Sequence, residues 1–134
     1  MKFRLSYMSK ILFTLIVLIT VCSCTKTPTC TSGIIFHQVK ITDSLGKAVL
    51  LDKFFTVCTD KKDTLHIQKY YTDSLLYYPL IDDRNFSLFQ KDSPLNFKFI
   101  GIKGKDTINS PYVFKYDGCH IALVSGVKKI LYQK

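Results

Sequence analysis

A chain of 134 residues has room for one domain, and its composition, 47% hydrophobic and 22% charged, excludes a large multidomain assembly within this length. The formal net charge of +9 could suit anionic headgroups or polyanionic glycans. Yet the lysines are scattered rather than grouped in a run or a helical stripe, which reads as a solvated surface and not as a dedicated basic interface.

The first element is a targeting segment. Lys2, Arg4 and Lys10 precede an uncharged apolar run, Ile11 to Val21, well short of the ~20 residues that span a bilayer comfortably. Val21, Cys22, Ser23 and Cys24 follow, an aliphatic residue and two small ones ahead of a cysteine. This resembles the lipobox of bacterial lipoprotein precursors. The resemblance implies a signal peptide over residues 1–23 forming a signal helix, cleavage between Ser23 and Cys24, and acylation at Cys24. Each buried methylene contributes ~0.8 kcal/mol, and several chains together hold a protein durably.

Removing that segment takes three basic residues with it and leaves sixteen Lys and Arg against ten Asp, with no Glu. A polar tether follows, residues 24–33, rich in Thr and holding one Pro. The ending Cys22-Ser23-Cys24 and the abundance of Lys, Ile, Phe and Tyr resemble lipoproteins of the Bacteroidota. In that group, surface-exposed members often carry an acidic stretch after the cysteine. Thr25 and Lys26 stand here instead, which implies an outer-membrane protein facing the periplasm and makes nucleic acid an unexpected partner.

Residues 34–134 are enough for a small core. Short segments rich in β-branched and aromatic residues predict strands over 34–41, 49–58, 64–68, 75–81, 86–90, 95–102, 112–116, 120–124 and 129–132. Breaks are expected at 43–46, 60–63, 82–85, 92–94, 101–106, 109–111, 117–118 and 125–126. In the stretch from Asn96, Phe97 and Phe99 share one face while Lys98 takes the other. No helical period of adequate length appears. The expected fold is therefore all-β, an antiparallel β-sandwich of about seven to nine short strands.

The DSLGKAV segment at 43–49 and the YDGCHIALVSGVKKI segment at 116–130 are similar to small Bacteroidota lipoproteins with immunoglobulin-like or transthyretin-like sandwiches, including regulatory domains of carboxypeptidases. That resemblance implies a fold and a non-catalytic habit. The ending ILYQK departs from the Tyr-Arg-Gly-Ser tetrapeptide of transthyretin-related hydrolases.

With Cys22 and Cys24 assigned to the signal and the anchor, Cys30, Cys58 and Cys119 remain in an oxidising compartment. One bridge and one thiol are expected. Cys30 with Cys119, which would pin the tether onto the last sheet, is the favoured pairing; the alternative, Cys58 with Cys119, would imitate the inter-sheet bridge of immunoglobulin domains. Cys119 is expected to open the 120–124 strand facing inward, sharing a face with Ile121 and Leu123. His120, beside it, would then point the other way. His37 and His66 lack neighbouring ligands at metal-site spacing, and no metal or cofactor is expected.

Asp82-Asp83 reads as a turn rather than the start of a calcium loop or a glycosidase pair, and Gly101 to Asp106 as a hairpin tip rather than a phosphate-binding loop. Tyr70, Tyr71, Tyr77 and Tyr78 form two adjacent pairs, so a ring from each could remain exposed to stack on a sugar or an apolar partner. The functional expectation is a non-enzymatic, lipid-anchored envelope module that binds another protein. A carbohydrate-binding module using those tyrosines and a small hydrolase or redox enzyme are the alternatives. Cys24→Ala is expected to abolish palmitate labelling and to move the protein out of the membrane fraction; unchanged labelling and fractionation would exclude the anchor.

Overall fold

A computed structural model describes residues 29–65 and 76–133. The signal segment, Ser23, Cys24, His66, Tyr70 and Tyr71 lie outside the described residues. The strands are β1 (Phe36–Thr42), β2 (Lys53–Cys58), β3 (Asp63–Leu65), β4 (Tyr77–Asp82), β5 (Pro94–Lys103), β6 (Asp106–Tyr116), β7 (Ile121–Ser125) and β8 (Lys129–Leu131). They form two sheets, one ordered β4-β1-β8 and the other β3-β2-β5-β6-β7. The all-β sandwich expected from the sequence is what forms. One pairing departs from the antiparallel expectation, because β8 lies parallel to β1 over Lys40 to Thr42.

Alternation builds the core. In β5, Phe97, Phe99 and Gly101 point inward; in β6, Ser110, Tyr112 and Phe114 do the same. Phe97 pairs with Tyr112 and Phe99 with Ser110 across the ladder, so the inner faces match without a register slip. Opposite them stand Val39 and Ile41 of β1 and Tyr78 and Leu80 of β4, all buried. Phe97 meets Phe114 edge-on at 5.5 Å, and Phe54 meets Tyr78 in the same manner at 5.0 Å.

The link from β1 to β2 must cross between sheets. Asp43 closes the predicted turn by accepting from the amides of Leu45 and Lys47, with Gly46 at positive φ. The 49–58 strand expectation is half met: β2 begins only at Lys53, while Val49 and Leu51 are buried in the crossing. A crossing chain leaves backbone groups without a ladder. The Tyr78 hydroxyl supplies them, donating to the Val49 carbonyl and accepting from the Leu51 amide, both at 2.8 Å. Burial pushes the Tyr78 phenol above its ordinary value despite the Leu51 amide, so it stays a neutral donor.

Two further expectations are corrected. Residues 86–90 are not a strand: Asp83–Leu88 is a 3-10 helix, capped by Asp82, whose carboxylate accepts from the Arg84 amide, while the Asn85 side chain accepts from the Asp82 amide. These local bonds, with the Arg84 guanidinium on the same carboxylate at 2.5 Å, outweigh the β preference of Phe86 and Phe89. The break at 109–111 is absent too, since β6 runs through Pro111 opposite Lys98. β7 joins β6 only from Val113 onward, so Pro111 sits where β6 has no second described neighbour and its missing amide hydrogen costs no ladder bond there. Tyr78→Phe should lower stability by roughly 1–3 kcal/mol, read from the urea midpoint at unchanged m-value, because it strands the buried Leu51 amide and Val49 carbonyl.

Candidate functional site

The chain enters the fold at a clasp between the two sheets. Cys30 is bonded to Cys119 across a sequence separation of 89, and the thiol left over is Cys58, buried in the core. The Cys58 to Cys119 alternative is thereby excluded: Cys58 closes β2 with its side chain inward among the phenylalanines, and Cys119 is already taken. Cys119 sits in a turn and not on β7, held with His120 by the Asp117 carboxylate, which accepts from both amides at 2.8 Å. Those amide bonds, His120 first and Cys119 next, draw the Asp117 carboxyl below its ordinary value. A loop this long costs the unfolded chain about 4 kcal/mol more entropy once cross-linked.

Beside the bridge, Asp83 holds both sheets. One carboxylate oxygen accepts from the Ile121 amide at 2.8 Å. The other accepts from the Ile35 amide at 2.8 Å and from Nδ1 of His120 at 2.7 Å. With Nδ1 protonated, a neutral His120 ring leaves Nε2 to accept from the Thr31 hydroxyl, 2.7 Å away. Burial alone would raise the Asp83 carboxyl; the Ile121 and Ile35 amides and His120 outweigh it, and the net displacement is downward. The side chains of His120 and Asp83 are 16% and 14% exposed.

Thr31, His120 and Asp83 thus form the hydrogen-bonded order of a hydroxyl, an imidazole and a carboxylate used in acyl transfer. Here the carboxylate is shared with two backbone amides and the neighbouring Cys119 sulfur is spent in a disulfide. The arrangement fastens the incoming chain to the turns before β7 and after β4.

Next to the clasp runs a groove of about 440 Å³ between the edge of β1 and the edge of β7. His37 lies at its base, its ring 5.1 Å from that of Phe114 and its Nε2 donating to the Ile121 carbonyl at 2.7 Å. Leu80 and Tyr112 form the floor, and Leu123 and Val127 the far wall. Tyr112 donates to the Val127 carbonyl at 2.8 Å, fixing that wall, and Gly126 lies so close on the Tyr112 ring at φ +138 that no side chain fits there. Lys40, Lys128 and Lys129 line the upper rim, and none of the three is in an ion pair among the described residues. Two shallower clefts, about 720 and 560 Å³, lie at the opposite pole around Leu50, Lys103 and Tyr132.

Of the two tyrosine pairs, Tyr77-Tyr78 lies among the described residues, and its rings divide between core and surface as adjacent strand positions do. Tyr78 is fully buried and bonded inside the core, which removes it from any exposed surface; Tyr77 is half-buried at the groove. Among the described residues no three His, Cys, Asp or Glu side chains gather as a metal site would require. Sequence reasoning passed over Gln38, Thr31 and the pairing of Lys128 with Lys129 at the groove. It saw Asp83 only as part of a turn, since its partners Ile35 and Ile121 are remote in the chain. No protein-family model matches the chain, and no curated protein or solved structure matches it.

Asp83→Asn should remove acid sensitivity along with stability. A carboxyl held below its ordinary value stabilises the fold above the unfolded value near 3.8, and that contribution fades as pH falls through the folded value. Thermal melts of the wild type should therefore fall below about pH 4 more steeply than those of the variant; parallel curves would show that Asp83 contributes nothing.

Proposed function

We propose that the protein is a lipid-anchored module of the bacterial cell envelope, held through Cys24 at the periplasmic face of the outer membrane, that binds another envelope protein and catalyses no reaction. The observation that carries this reading is the Cys30–Cys119 bridge, which suits an oxidising compartment and stands six residues after the lipobox cysteine. The six residue steps from Cys24 to Cys30 extend at most ~22 Å, so the clasp pole would sit close to the headgroups.

Other readings lose support. A sugar-stacking surface would have Tyr77 alone from its described pair, half-buried at the groove. A hydrolase would draw on Thr31, His120 and Asp83, yet the carboxylate is committed to the Ile35 and Ile121 amides, and the three read as a fastening. The scattered lysines favour no nucleic acid, and no cofactor is invoked.

Affinity capture from native membranes after mild cross-linking should recover one envelope protein in near-stoichiometric yield, with no glycan retained on an array. Reproducible glycan binding without a protein partner would replace this reading with the carbohydrate one.

A further inference from the structure

The groove between β1 and β7 has the form of a place where a strand is missing. In β1, the Lys40 amide donates to the Lys128 carbonyl and the Thr42 carbonyl accepts from the Tyr132 amide, so even-numbered residues direct their backbone groups towards β8. The period of two carries the same direction down to Gln38. β8 begins only at the level of Lys40, and no described strand lies alongside Gln38 on that side. Across the gap, β7 is the last strand of its own sheet, paired with β6 alone.

The chemistry of the walls matches a strand with a defined sequence character. Leu80, Tyr112 and Leu123 offer apolar surface towards the interior, and Val127 is half exposed beside them. The rim at the β8 end is basic, with Lys40, Lys128 and Lys129, and no acidic side chain lines the groove among the described residues. Main-chain groups on an open edge give affinity to an extended peptide, and pockets for alternate side chains give it selectivity.

We propose that this groove receives an extended segment of a partner protein, added beside Gln38 in line with β8, with apolar side chains at alternate positions and acidic residues at the end that meets Lys128 and Lys129. This deepens the protein-binding reading above and rests on it, while remaining independent of the anchor at Cys24. Charge complementarity selects the partner segment over a second copy of this chain, whose sixteen basic residues beyond the signal outnumber ten acidic ones.

The test is a titration of the full chain, isotope-labelled and held in detergent micelles, with an eight-residue peptide of alternating valine and threonine closed by two aspartates. Amide signals of Gln38 and Leu123 should shift together with a submillimolar Kd, and the Gln38 amide should gain protection from hydrogen exchange. Lys128→Glu with Lys129→Glu, both exposed and outside the core, should weaken that peptide about tenfold and favour a lysine-closed version instead. Gln38→Pro should abolish binding of either peptide by removing the edge amide. Unmoved Gln38 and Leu123 signals, or equal binding of both peptides to the unmodified protein, would overturn the proposal. So would a Gln38 amide already protected without peptide: in a dimer by sedimentation this would assign the groove to a second copy, and in a monomer to a segment of the same chain. Loss of the anchor would leave every one of these readings unchanged, so failure here and failure of the envelope assignment are distinguishable.

Discussion

Everything at the tether end of the molecule depends on the Asp83 carboxylate. The two sheets share no strand, so their spacing at this pole is set by whatever bridges them. One oxygen of Asp83 takes the amide of Ile35, just before β1, and the other takes the amide of Ile121, the first residue of β7. A single planar group a few ångströms across thereby fixes how far apart the two strand edges begin. A half-desolvated carboxylate would ordinarily hold its proton more tightly; two amides and an imidazole reverse that and keep it charged. The Cys30–Cys119 bond ties the same two stretches of chain covalently. The two fastenings coincide in place but answer to different conditions, one to redox potential and the other to acid.

The opposite half is joined by different means. There the chain itself passes between sheets, from Thr42 through Leu51 to β2, and a buried hydroxyl replaces the absent ladder. Tyr78 therefore has a structural task that explains why it cannot serve as a surface ring. The last crossing, after β7, spans only Gly126, Val127 and Lys128 before β8 starts. So short a link delivers the chain to β1 at Lys40, and β8 covers just the upper part of that edge. The groove is a consequence of this short crossing combined with the spacing that Asp83 imposes.

Much of the sandwich was legible because alternation in the segments around Phe97 and Tyr112 is a local property that tertiary packing preserves. The disulfide was legible only as one of two pairings: the tether position of Cys30 favoured it, but nothing in the sequence tells that Cys58 points into the core. The misreadings have identifiable causes. Phe86 and Phe89 carry β propensity, but Asp82 and Asn85 offer capping bonds that a count of apolar residues ignores. Asn109, Ser110 and Pro111 spell a turn, yet β6 keeps its ladder to β5 on one side and has no described neighbour on the other, so the proline is tolerated. The Thr31, His120 and Asp83 contact was beyond reach, because it joins residues up to 89 positions apart through a turn geometry that only the folded chain creates.

The placement of the groove bears on what could reach it. Its lining takes in β1 from Phe36 to Lys40 and reaches Lys128 and Lys129, so it lies along the flank of the domain. If the proposed anchor holds the clasp within ~22 Å of a membrane, a partner segment must approach from the side, roughly level with the domain. A partner fixed in or near the same membrane meets that condition with little loss of orientational freedom, since both bodies are already confined to one layer. A freely diffusing partner gains nothing from the short tether. The five residues between Cys24 and Cys30 and the open edge at Gln38 thus favour the same kind of partner, a neighbour in the envelope that offers an extended, acid-tipped segment.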